Sequence, residues 1–364
     1  MRTTAGGRKT GPASGARVLA CLLSLGLLAR PGGAQAPLVF GVIGDSGEVT
    51  RGLRGVVREM EAYRRDRATF DFVLMLGDNI YRDGVGRGFA KVFEAPFRNL
   101  LAAGVQFYAV LGNHDIWRGT ERQIHYPPWN MNGRRFYQFS KGDGLIEFFA
   151  LDSTALSDEA RSLEVAEKAR LDRERAALEQ KNTLTAVDQR RLASVDAELR
   201  EDVAFIDEQA AVKSAQLDWL RDALSKSTAR WKVVFLHHSI YSAATRPGGH
   251  GGQRSLLRLR ALLEPIFVSG GVDLVLAGHD HHYDRSTLQP AASPTGHQVQ
   301  YVTAGASARL RSNVVDPTNA FLARADASTN SFLIASVTQG AIRIQAIGAT
   351  GRTLDSFEVV KRPQ

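Results

Sequence analysis

Short apolar runs recur along this chain at residues 38–43, Phe72–Leu76, Gln106–Leu111, Leu145–Leu151, Lys232–Leu236, Val272–Leu276, Gln300–Thr303, Phe332–Val337 and Ala341–Ala346. Most are bounded by Gly, Asp or Asn, and each predicts a β-strand. Amphipathic stretches such as Leu53–Arg64 and Phe89–Leu101 lie between the early runs and predict helices. Strand and helix alternate through the first third, and strands dominate the C-terminal part. Continuous apolar runs imply strands covered on both faces, so the pattern predicts an α/β sandwich rather than an open barrel.

Residues 156–213 break this pattern. The block is rich in Ala, Glu, Arg, Leu and Asp and has no Gly, Pro or Trp. Leu192, Val195, Leu199, Val203, Ile206 and Ala210 follow helical spacing. Leu156, Leu163, Leu171 and Leu178 form a weaker stripe before a turn at Lys181–Thr185, where Thr185 and Asp188 form a capping pattern. The block predicts two antiparallel helices of about 25 residues, each ~38 Å long. It is expected to be an inserted hairpin packed on itself, replaceable by a short linker with the rest intact. A docking or self-association arm is the alternative.

The N-terminal residues change the charge argument. Residues 1–17 carry Arg2, Arg8, Lys9 and Arg17 and no acid, Val18–Ala29 is a run of twelve mostly apolar residues, and Ala34-Gln35-Ala36 is a small-x-small site. This predicts a secretory signal peptide over residues 1–36, cleaved after Ala36, and export to the periplasm or the medium. The run is short for a membrane anchor, which needs ~20 residues, so no stable span is expected after cleavage. Cys21 lies inside the run rather than after it, which argues against a lipid anchor. The net charge of +8 falls to +3 once the five Arg or Lys of residues 1–36 are set aside. No basic block remains that points to nucleic acid. Cys21 is the only cysteine, so the mature chain has no disulfide and any metal ligands are O and N donors. Residues 37–364 suffice for one large domain or two small ones, and are expected to form a single domain interrupted by the 156–213 block.

Five polar motifs punctuate the strands: Gly44-Asp45-Ser46-Gly47, Gly77-Asp78-Asn79-Ile80-Tyr81, Gly112-Asn113-His114-Asp115, His237-His238-Ser239-Ile240-Tyr241 and Gly278-His279-Asp280-His281. Four begin right after an apolar run, where α/β folds build ligand sites. Together they supply enough carboxylate, phenol, amide and imidazole donors for two ions. Two such ions suit a phosphate ester, because they clamp its oxygens and make hydroxide available near neutral pH. Asp45 is flanked by glycines that let the backbone turn towards an ion, although alone it reads equally as a turn aspartate. Asp78 repeats the arrangement and can bridge two ions. Tyr81 as phenolate favours a trivalent ion such as Fe(III); a half-buried tyrosine is the alternative. Asn113 offers a neutral oxygen suited to a divalent ion. His114 contacts either a ligand or the substrate. His237, His238, His279, His281 and His282 are five of nine histidines, in two short segments, and histidine is the commonest metal ligand. In an extended segment His279 and His281 point to one side and Asp280 to the other, where it can orient a ligand.

At these residues the chain resembles the metallophosphoesterase superfamily, whose motifs are Asp, Gly-Asp, Gly-Asn-His-Asp/Glu, His and Gly-His-x-His. Gly-Asp-x-Gly and Gly-Asp-Asn-x-Tyr make it similar to the purple acid phosphatases, closest to the small mammalian-type members. The flanks agree: Phe93-Glu94-Ala95-Pro96-Phe97, Trp129-Asn130, Phe136-Tyr137 and Gln216-Leu217-Asp218-Trp219-Leu220. The likeness covers about residues 38–155 and 214–310. It implies a four-layer α/β/β/α sandwich with an inserted helical hairpin. It implies Fe(III) held by Asp45, Tyr81 and His281, a divalent ion (Fe, Zn or Mn) held by Asn113, His237 and His279, and Asp78 as the bridge. His114 and His250 would meet the phosphate or protonate the leaving group of a small phosphorylated substrate, and the activity would be hydrolysis of phosphate monoesters. Two departures stand out. Ser239 replaces the family's proline, and counting to Tyr241-Ser242 assigns His237, with His238 as the alternative. His250 lies further from His237 than usual, among Gly248, Gly249, Gly251 and Gly252. The rival readings are a phosphodiesterase with two divalent ions and a binding protein acting through the hairpin.

Overall fold

The computed structural model describes residue 11 and residues 36–361, apart from 82–83, 85–87, 117–118, 158, 246–251 and 294, and without the side chains of 159–164. The expected signal peptide and His250 lie outside the described residues. One sheet contains β1 (Leu38–Ile43), β2 (Phe72–Met75), β3 (Gln106–Ala109), β11 (Ser331–Val337), β12 (Ala341–Gly348) and β13 (Thr353–Val360), ordered β13-β12-β11-β1-β2-β3. The other contains β4 (Tyr137–Lys141), β5 (Ile146–Ala150), β6 (Trp231–Phe235), β7 (Leu274–Ala277), β8 (Tyr283–Ser286), β9 (Gln300–Ala304) and β10 (Leu322–Asp326), ordered β10-β8-β9-β7-β6-β5-β4. β1, β2 and β3 run parallel, as do β5, β6, β7 and β9, and the outer strands pair antiparallel.

Period-two alternation assigns the layers. Phe148, Val233, Phe235, Leu274 and Leu276 face the core between the sheets, whereas Phe149, Val234, Leu236 and Val275 face outward. There they meet Leu220 and Leu224 of α6 (Ala186–Lys226) and Leu259, Leu263 and Phe267 of α7 (Gly252–Ser269). Phe148 crosses the gap, its ring edge-on to Phe40 at 5.2 Å and to Phe72 at 5.6 Å. The first sheet is covered by α1 (Arg51–Asp66), whose Met60 packs on Gly41; α1 starts where Thr50 Oγ1 accepts from Leu53 N at 3.0 Å. The result is the expected α/β/β/α sandwich. Strands β4, β10 and β13 carry no apolar run because they are sheet edges with half their residues wet, and β8 hides behind buried Asp284 and Ser286.

The 156–213 block contains α5 (Glu159–Glu179) and the start of α6. Thr185 and Asp188 form the capping box of α6. Leu171, Val195 and Leu199 pack between the helices, flanked by Arg191–Glu174 at 2.7 Å and Arg175–Asp196 at 3.0 Å. The helices have 21 and 41 residues rather than about 25 each, because α6 continues past 213 without a break. Its later turns are held by the outer core, and Gln209, Gln216 and Leu220 are buried there. Among the described residues no helix is long and apolar enough to cross a membrane.

Candidate metal centre

The parallel strands deliver the five motifs to one edge of the sandwich. Asp45 follows β1, Asp78 follows β2, Asn113 and His114 follow β3, His237 follows β6, and His279 follows β7. Backbone bonds knit these loops together: Asp45 N to Gly77 O at 3.1 Å, and Gly278 N to His237 O at 2.9 Å. Asp45, Asp78 and His279 take φ of 54°, 51° and 69°, a left-handed conformation that non-glycine residues rarely adopt. Such strain persists where the surroundings over-determine it, commonly at functional sites. A Cβ at Gly278 would sit 2.7 Å from Asp45 Oδ2, so only glycine lets these two motifs touch.

The side chains gather into two groups. In one, Tyr81 Oη lies 3.1 Å from Asp45 Oδ1 and 3.2 Å from His281 Nε2. In the other, Asn113 Oδ1 lies 3.0 Å from His237 Nε2 and 3.2 Å from His279 Nδ1, and the two ring nitrogens are 3.1 Å apart. Asp78 Oδ1 is 3.4 Å from His237 Nε2, and Asp45, Asp78 and His237 each offer an atom within 4.8 Å of the others. His237 Nδ1 is bonded to Leu76 O at 2.8 Å, which leaves Nε2 as a lone pair facing the centre. His238 points elsewhere, its Nδ1 2.9 Å from Ser153 Oγ. His114 is half-buried at the mouth, its ring 5.0 Å from that of Tyr81 and its backbone N donating to Asp78 Oδ1 at 3.1 Å. Asp280 turns away from the centre and bonds Ser242.

The electrostatics call for a cation. Burial and the Asp45 charge push the Asp78 carboxyl up to about 6. Burial also raises Asp45, but bonding from His281 and the charges of His237 and His281 bring it below the usual carboxylate range. Burial, then Asp45 and Asp78, push the Tyr81 phenol far up, opposed by Arg309, whose guanidinium lies 3.7 Å over its ring. Burial holds His237 and His279 below the ordinary imidazole range. Among the described residues the ion-pair partners of Asp45 and Asp78 are histidines. Buried carboxylates beside buried imidazoles, with an amide oxygen and ring nitrogens converging at 3.0–3.2 Å, form a donor set of the kind that binds metal ions.

The sequence profile described as calcineurin-like phosphoesterase matches residues 38–283. This chain belongs to that family. It is a metal-dependent hydrolase of phosphoric esters. Purple acid phosphatase 17 of Arabidopsis thaliana is 26% identical over 293 residues, 79% of this chain and 73% of that protein. Tartrate-resistant acid phosphatase type 5 of Rattus norvegicus is 25% identical over 365 residues, 94% of this chain and 96% of that one. Among solved structures, GAP50, the anchor in the inner membrane complex of Plasmodium, superposes with a TM-score of 0.60 at 14% identity, covering 91% of this chain and 90% of that one, a likeness of fold alone.

Three groups of this phosphoesterase carried no role in the sequence reading. Asp115 accepts from the backbone N of Asn79, Ile80 and Gly112 at 3.0, 3.0 and 2.8 Å, and so joins the second and third motifs. Burial and the Asp78 charge push its carboxyl up to about 7. Arg309 stacks on Tyr81 and pairs with Glu48 at 2.9 Å. Ser153 holds the backbone of both His237 and His238. The available signal was position: Leu151-Asp152-Ser153 ends an apolar run just as four of the five motifs follow one.

Proposed function

We propose that this phosphoesterase is an exported binuclear phosphatase that cleaves phosphate monoesters. The observation that carries the proposal is the convergence of six donors in two groups of three, with Asp78 beside both. Asp45, Tyr81 and His281 form the set for a ferric ion, because a buried phenol ionises only against a strong positive charge. Asn113, His237 and His279 form the neutral set for a divalent ion such as Fe, Zn or Mn, and Asp78 serves both. When bound, the two ions polarise the ester and supply a nucleophile near neutral pH. His114, at the mouth, donates a hydrogen bond to the phosphate or a proton to the leaving group, and the family pattern gives His250 a similar role. The acid phosphatases among the relatives support the monoester reading. Residues 1–36 are the export signal, and residues 37–364 are the phosphoesterase domain interrupted by the helical pair.

The test is metal analysis of the purified mature protein, its visible spectrum under oxidising conditions, and turnover of a small aryl phosphate. Two metals per chain, a phenolate-to-iron absorption band and monoester turnover are expected. An iron-containing oxidised protein without that band sinks the ferric assignment. Turnover of diesters alone sinks the monoester reading in favour of a divalent-metal phosphodiesterase.

A further inference from the structure

We infer that Arg135 and Ser153 are positioning residues that tie the stem of the helical pair to the metal centre, so that α6 from Glu208 onward belongs to the active-site scaffold. The inference rests on the reading of His237 as a metal ligand. An unbroken chain of contacts carries it. Asp152 lies just past β5 and caps α4 (Ser153–Leu156), its Oδ1 accepting from Thr154 N at 3.0 Å and Ala155 N at 3.1 Å. Its Oδ2 accepts from Arg135 Nε at 2.6 Å, and both side chains are buried, at 8% and 0% exposure. Arg135 then donates to Glu208 Oε1 at 2.7 Å and to Gln209 Oε1 at 2.8 Å, both on α6. Gln216, further along α6, grips the Asp152 backbone from both sides, taking its N–H at 2.7 Å and giving to its carbonyl at 3.1 Å.

The next residue hands this restraint to the centre. Ser153 Oγ accepts from His237 N at 3.1 Å and from His238 N at 2.8 Å. A hydroxyl has two lone pairs and one proton, so with both lone pairs occupied the proton goes to His238 Nδ1, 2.9 Å away. His238 is thereby held with its own proton on Nε2. His237 is fixed twice, by Ser153 at its backbone and by Leu76 O at Nδ1. Its free Nε2 then has one direction in which to point. A buried charge pair transmits position, because a shift of either Arg135 or Asp152 breaks a charge-assisted hydrogen bond in a medium of low dielectric.

The test uses the mature protein, stripped of metal and titrated with Co(II) alone. Ser153→Ala should bind Co(II) about tenfold more weakly or worse, the usual effect of losing a group that orients a ligand. Its cobalt absorption bands should also shift. The double variant Glu208→Ala/Gln209→Ala leaves the Arg135–Asp152 pair intact, so it loosens the link to α6 without leaving a buried charge unpaired. It should show the same band shift and a several-fold weaker affinity, and Arg135→Lys should recover part of the loss seen in Arg135→Gln. Wild-type affinity and bands in Ser153→Ala and in the double variant, with any defect confined to thermal stability, overturn the inference. If the wild type takes up no cobalt, the proposed metal function falls. The inference is then decided by the ring ¹⁵N resonances of His237 and His238, which the double variant should shift and which overturn it if unchanged.

Discussion

Asp78 Oδ1 is 3.4 Å from His237 Nε2, and Asp78 offers an oxygen within 4.8 Å of Asp45, so its loss should act on both donor groups. Asp78→Ala is expected to lose the two metals together, checked by metal content after desalting; near-normal occupancy of either ion would count against its bridging role. Tyr81→Phe removes one donor and no volume to speak of, so the fold and the divalent ion should remain while any phenolate-to-iron absorption disappears. At this scale the sequence was informative about residue type. Carboxylates, amides and imidazoles at strand ends, with glycines between them, announced a metal site. It was uninformative about direction. His237 and His238 are neighbours of the same type, and only Leu76 O and Ser153 Oγ, distant in sequence, decide which ring enters the centre.

The helical pair divides functionally along its length. Among the described residues, its far half is held together by Leu171, Val195 and the pairs Arg191–Glu174 and Arg175–Asp196. Replacing residues 166–202 by a short turn should therefore leave metal content and aryl phosphate turnover near wild type, because antiparallel helices bring the cut ends together. Removing 156–213 takes away Glu208 and Gln209 and should cost metal affinity, which equilibrium titration will show. The start of α6 has its own pH dependence. Bonding from Lys181 and Thr185 holds the Asp188 carboxyl down to about 2. A lowered carboxyl stabilises above its ordinary range and loses that effect as pH falls through about 2. Asp188→Asn should thus speed amide exchange in the first turn of α6 at pH 5, and the difference from wild type should vanish near pH 2. The capping pattern was legible because it is local, its two residues three positions apart. The true end of α6 was not, because a helix that leaves one packing surface for another shows no break in its periodicity.

The two sheets are joined by aromatic packing in the core between them. Phe148, stacked on Phe139 at 4.9 Å and edge-on to Phe40 and Phe72, spans the gap. Phe148→Ala should destabilise the protein by ~3–5 kcal/mol, measured by denaturant unfolding, while the surviving folded fraction binds metal as before. Layer architecture and the apolar strands of the two sheets were determined by the sequence alone, because each is written in short-range periodicity. The tertiary structure alone decided the rest. Sheet order places β11 beside β1 and leaves β4, β10 and β13 as edges too wet to show an apolar run. The backbone N of His279 reaches Asp45 Oδ2 across 234 residues of chain. Arg135 joins Asp152 to α6 across 73 and 74 residues. Such contacts exist only after the chain has closed its loops, so no local pattern encodes them, and they set which donors meet and how firmly they are held.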